Sequence, residues 1–137
     1  MYSDNSNLIK KFEKMISDDS SIFLDTDEVE EIILYYFNEG DIMMAEKAVE
    51  LGNNLYPNSV NINILYSEIL ILKGEITESY DLIDDMLSIN KNSQDLLFQK
   101  CKILTKLKKY KESISILKDI PKSDQLSFFV LDLLLMT

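Results

Sequence analysis

The strongest constraint on this chain is a repeat of 34 residues. Gly40 and Gly74 stand 34 apart, and Lys108 follows after the same step. Ile42, Ile76 and Tyr110 keep that step, as do Ala45, Ser79 and Ser113, and then Val49, Ile83 and Leu117. Three blocks in register, 26–59, 60–93 and 94–127, cover 102 of the 137 residues without an insertion. A fixed period of this length marks an array of supersecondary units. Each is too small to bury its own apolar face and stacks on the next.

Each block reads as two helices. In the first, Val29, Ile32, Ile33 and Tyr36 recur at the spacing of one helix face. Asp25 predicts an N-cap, with Glu28 three residues on as its capping-box partner. Gly40 suits the left-handed residue that ends a helix, and Asp41 can cap the next one. The second helix carries Ile42, Ala45, Val49 and Leu55, and Pro57 marks its end. A turn this short makes the two helices antiparallel. Ala45, Ser79 and Ser113 are small where the helices of a pair would approach most closely. Tyr36, Leu70 and Leu104 are large enough to fill the space between pairs. Only 3 Gly and 2 Pro occur, fewer than sheet-rich domains spend on turns.

The pattern resembles the tetratricopeptide repeat family, most closely in the first block, through Tyr36, Gly40-Asp41, Ala45 and Pro57-Asn58. The family's Trp is Val29 here, and its later Ala is Gly52. The second block keeps Gly74 but has Lys91 in place of Pro. The third has Lys108 in place of Gly, and Pro121 comes four positions early, which predicts a short second helix. The resemblance implies an all-α fold of antiparallel helix-turn-helix repeats stacked into a right-handed α-α superhelix. It also implies a concave groove lined by set positions of each first helix. In the first block these are Asp27, Glu30, Leu34, Phe37 and Asn38. In the second they are Asn61, Ile64, Glu68, Ile71 and Leu72, and in the third Asp95, Phe98, Lys102, Thr105 and Lys106. Some family members clamp a chaperone tail with Lys, Asn and Arg in this groove. Glu30 and Leu34 stand where the Lys and Asn are needed, and the chain has no Arg. An apolar or mixed peptide fits better, gripped by Phe37, Ile64, Ile71 and Phe98. The other reading is that these residues pack against neighbouring helices.

The two ends depart from the repeat. Leu8, Ile9, Phe12, Met15 and Ile16 form an amphipathic stripe, read as a capping helix within an N-terminal segment, 1–25. Asp18-Asp19 argue against a membrane-surface helix there. Residues 128–137 hold one charge in ten. They read as an apolar C-terminal helix that caps the stack, pairs with a second copy in a homodimer or begins a further repeat of a longer array. Phe128, Phe129, Leu131, Leu134 and Leu135 are the candidate self-association residues, and left bare they are an aggregation hazard.

Charge narrows the partner. The net charge is −10, and every basic residue is Lys. An acidic chain without Arg is a poor match to a phosphate backbone, so nucleic acid is not expected as a partner. The blocks differ: the first carries −7, the second −4 and the third +4. Lys100, Lys102, Lys106, Lys108, Lys109 and Lys111 crowd the third. They read as a solvated face, or as a dock for an acidic partner such as another copy.

No catalytic, cofactor-binding or metal-binding residue is predicted, and the chain is not read as an enzyme. It has no His to act as a base. Cys101 has no His to activate it and reads as a buried structural thiol. Asp18-Asp19 and Asp84-Asp85 are adjacent on helices and point apart. Asp25-Thr26-Asp27-Glu28 lacks the Gly of a calcium loop. No signal-peptide pattern is present, and the longest apolar run is too short for a bilayer, so a soluble cytoplasmic chain without membrane contact is expected. The functional expectation is an interaction scaffold or adaptor. The alternative is a structural assembly module.

Overall fold

A computed structural model describes residues 5–120 of the chain. They form α1 (Ser6–Asp18), α2 (Thr26–Asn38), α3 (Ile42–Leu55), α4 (Val60–Leu72), α5 (Ile76–Ile89), α6 (Gln94–Lys106) and α7 (Tyr110–Asp119). No strand occurs among the described residues. The first helices start at 26, 60 and 94 and the second at 42, 76 and 110, so each pair keeps the 34-residue step. Over the described residues the fold is all-α and built of helix-turn-helix units that repeat every 34 residues.

Local chemistry fixes the helix starts. Asp25 accepts from the Glu28 N–H at 2.8 Å, and the Glu28 carboxylate accepts from the Asp25 N–H at 3.0 Å. Together these complete the predicted capping box. Asp41 accepts from the Met44 N–H at 3.2 Å, as expected for the cap of α3. Ser59 and Ser93 cap α4 and α6 through the N–H groups of Ile62 and Leu96, both at 3.3 Å. Asp25, Ser59 and Ser93 keep the 34-residue step, a signal present in the sequence and missed there.

The turns inside the pairs repeat just as closely. Gly40 donates to the Phe37 carbonyl at 3.1 Å and Asp41 to the Tyr36 carbonyl at 2.9 Å. Gly74 and Glu75 make the same two bonds at 3.0 and 2.8 Å, and Lys108 and Lys109 make them at 3.0 and 2.8 Å. All three are Schellman turns. The residue at the bend has φ 77° at Gly40, 82° at Gly74 and 63° at Lys108. Losing the glycine in the third unit therefore leaves the turn intact, with a lysine held left-handed.

The chain divides into two compact units, Met1–Ile69 and Leu70–Thr137. In unit 1, Ile9, Phe12 and Met15 of α1 join Val29, Ile32, Ile33, Ala45, Val49 and Ile62 in one core. The Phe12 and Tyr36 rings lie 5.9 Å apart, and the Tyr36 hydroxyl donates to Glu13 at 3.0 Å. Tyr36, expected to fill space between repeats, thus meets α1. The loop between α1 and α2 is tied down by the Tyr56 hydroxyl, which donates to the Leu24 carbonyl at 2.6 Å. Leu55, expected inside, is 40% exposed. It ends α3, past the last turn that faces α2.

In unit 2, Phe98, Cys101, Leu117 and Ile120 form one core cluster, and Ser79 and Ser113 are fully buried, as is Ala45 in unit 1. The smallness of these three residues lets paired helices approach. A polar knot joins α6 to α7. The Cys101 carbonyl accepts from Thr105 Oγ1 at 2.9 Å and from Ser113 Oγ at 3.2 Å, and the two hydroxyls lie 3.2 Å apart. At 10 residues α7 is short, against 14 for α3 and for α5. Ile120 turns extended at φ −82° and ψ 127°, the conformation favoured before Pro121.

Candidate functional site

The first helices bury one face and leave another open. On α2, Val29, Ile32, Ile33 and Tyr36 are buried, while Leu34 is 42% exposed in mid-helix. Of the other predicted groove residues in unit 1, Asn38 is exposed and Glu30, Phe37, Ile64 and Glu68 are half-buried. Phe37 also packs on the unit 1 core. Glu30 sits beside Asn61, so the first turn of α4 lies next to α2 here. Burial holds the Glu30 carboxyl above its ordinary value. A hydrogen bond with Asn61 pulls the other way, and the nearby Asp27 charge adds to the rise.

In unit 2 the predicted set divides. Leu72 is 59% exposed, Lys106 is exposed, and Ile71 and Lys102 are half-buried. Phe98 is only 6% exposed and belongs to the unit 2 core. Of its two readings, burial favours packing, because a ring already covered by its own unit has little surface left for a partner. Thr105 is equally buried and spends its hydroxyl on the Cys101 carbonyl. The repeat position alone could not reveal this, since it specifies the helix face and not how deep that face is packed.

Two depressions lie elsewhere. One of about 460 Å³ is bordered by Met43, Glu46, Lys47, Glu50, Asn53 and Tyr66. The other, of about 440 Å³, is bordered by Asn92, Gln94, Leu97, Ile116, Asp119 and Ile120. Neither is lined by a residue predicted for the groove. Phe23, 81% exposed in the loop before α2, was also missed in the sequence. Its one signal there was an aromatic residue between an apolar stripe and a capping aspartate. The predicted self-association residues Phe128, Phe129, Leu131, Leu134 and Leu135 lie outside the described residues.

The basic stretch is only partly neutralised. Lys100 pairs with Asp84 at 2.9 Å and stands over the Tyr80 ring, 5.4 Å from its centroid. Burial works against its charge. The bond to Asp84, that carboxylate's charge and Tyr80 outweigh it, and the ammonium pKa is raised. Lys106, Lys108, Lys109 and Lys111 are exposed around the α6–α7 turn. None of these four has an ion-pair partner among the described residues.

Cys101 is fully buried. Burial pushes its thiol up to about 11, while hydrogen bonding to Ser113 and the Lys100 charge pull the other way. A thiol so protected is a poor nucleophile near neutral pH. Among the described residues no His, Cys, Asp or Glu groups could hold a metal ion. No described helix is long and apolar enough to cross a membrane.

A family model described as anaphase-promoting complex, cyclosome, subunit 3 matches residues 34–120. The match runs from α2 to the end of the described residues and takes in more than half of the chain. No curated protein and no solved structure matches it. With the recurrent caps, turns and small contact residues described above, the match shows that the chain belongs to the family of subunit 3 of the anaphase-promoting complex, or cyclosome, a tetratricopeptide-type repeat family.

Proposed function

We propose that this chain is a non-enzymatic interaction scaffold that holds a segment of another polypeptide against the first-helix face of unit 1. Glu30, Leu34, Phe37 and Asn38 of α2 and Ile64 and Glu68 of α4 supply the contacts. The observation that carries the reading is Leu34. It remains 42% exposed in the middle of a helix whose other large aliphatic residues are buried. Carboxylates of Glu30 and Glu31 lie one turn before it. An apolar centre within a polar rim is the usual make-up of a protein contact. The family name also supports the reading, since a subunit of a complex works by holding other chains. In unit 2, Ile71, Leu72, Lys102 and Lys106 serve the same role, with α1 as the cap of the first unit.

A photo-reactive residue placed at position 34 tests this. It should capture a defined partner polypeptide, and one at position 43, on the exposed side of α3, should not. Asn38→Lys, at an exposed position, should reduce that capture while the helical circular dichroism stays unchanged. Equal capture from positions 34 and 43 would remove the support for this face.

A further inference from the structure

The α6–α7 turn differs from its two equivalents in a way that points to a contact. In the first unit the turn reads Asn38-Glu39-Gly40-Asp41, and in the second Leu72-Lys73-Gly74-Glu75. In the third it reads Lys106-Leu107-Lys108-Lys109, followed by Tyr110 and Lys111. The backbone path is the same in all three. Only the chemistry is inverted, and Lys108 occupies a left-handed bend at φ 63° that suits glycine. Tyr110, 37% exposed, stands among these lysines as an apolar centre within a cationic rim.

The complement of that surface is on the same chain. Between Asp25 and Asp41 there are seven carboxylates and no lysine, and between Lys100 and Lys111 there are six lysines and no carboxylate. The α2 face is an exposed leucine within an anionic rim. The α6–α7 turn is an exposed tyrosine within a cationic one. At physiological salt the screening length is about 8 Å. Repulsion between distant charges of two chains of charge −10 is therefore largely screened, while facing charges a few ångströms apart are not.

We infer that the α6–α7 turn of one copy docks on the α2 face of a second copy, with Lys108, Lys109 and Tyr110 meeting Glu30, Glu31 and Leu34. This rests on the reading of the α2 face as an interaction surface and names one partner for it. The contact is heterologous, so a docked pair leaves the α2 face of one copy and the α6–α7 turn of the other unused, and association grows with concentration. It also occupies the face offered to other partners, so self-association and partner capture compete.

Charge reversal on the full chain tests the inference. The variant Lys108→Glu/Lys109→Glu and the variant Glu30→Lys/Glu31→Lys are each followed by light scattering across a concentration series at low and high salt. The wild-type chain should gain mass with concentration at low salt and lose most of that gain at high salt. Each variant alone should be monomeric in both. An equimolar mixture of the two variants should recover salt-sensitive association, a result that misfolding of either variant cannot produce. A wild-type monomer at every salt overturns the inference, as does association that survives salt or a mixture that stays monomeric. Capture from position 34 by a different polypeptide, with no self-association, would leave the scaffold reading standing and remove this one.

Discussion

Gly52 of α3 lies so close to Val29 of α2 that a Cβ on the glycine would come within 2.8 Å of Val29 Cγ1. These are the two positions where the first unit departs from the family's Trp and Ala. Read one at a time they look like losses. Together they are a matched reduction in size, and the two helices close on each other.

Gly52→Ala should therefore destabilise the fold even though alanine is the better helix former. Overpacking costs about 1–3 kcal/mol, and the gain in helix propensity returns about 1 kcal/mol. The expected net loss is about 0–2 kcal/mol by urea denaturation. In a Val29→Ala background the loss should shrink, leaving Ile62 Cγ2 at 3.2 Å as the remaining close neighbour. The double-mutant cycle then reports a coupling of about 1 kcal/mol or more. Purely additive effects would contradict the close approach.

Ala45 is fully buried between α2 and α3. Ala45→Leu should lower the unfolding midpoint, with a cost of about 1–3 kcal/mol. A neutral result would mean that the helix pair has room the packing does not show.

Lys108 tests the third turn. A non-glycine residue in the left-handed region costs about 1–2 kcal/mol, and glycine gives back part of the gain through its freer unfolded chain. Lys108→Gly should stabilise by about 0.5–1 kcal/mol, read as a higher midpoint in urea. Lys108→Ala keeps the strained backbone and should bring no such gain.

Cys101 gives a pH signature. Its thiol is raised to about 11 from an ordinary 9.0, so the folded state holds the proton more tightly than the unfolded state. The associated stability is fully present below the unfolded value of 9.0 and is lost as pH rises through about 11. Compared with Cys101→Ser, the wild-type chain should lose on the order of 2 kcal/mol more over that window. At neutral pH a thiol reagent should label Cys101 only as fast as the protein opens. Rapid labelling of folded protein would mean that the thiol is exposed.

Much of this fold was legible in the chain. The period placed the helix pairs, and Asp25, Asp41, Gly40 and Gly74 marked their ends by chemistry local to a few residues. The shortened α7 followed from Pro121. The candidate surface was less legible. Phe98 and Thr105 hold repeat positions that read as groove, yet both are buried. Leu34 holds another groove position and is open. Side-chain depth depends on which neighbouring helix covers a residue, and periodicity within one helix carries no record of that.

The sequence by itself determined the all-α repeat, its register and the uneven charge of its blocks. These follow from spacing, capping groups and composition, which act within a turn or two of helix. Only the tertiary structure decided that Val29 and Gly52 compensate each other and that Tyr36 meets Glu13. Only it decided that Cys101, Thr105 and Ser113 close a polar knot, and that Lys108 keeps a glycine's bend. Each depends on side chains from different helices or on a backbone angle fixed by packing. Their energies arise from distances that exist only once the helices are docked.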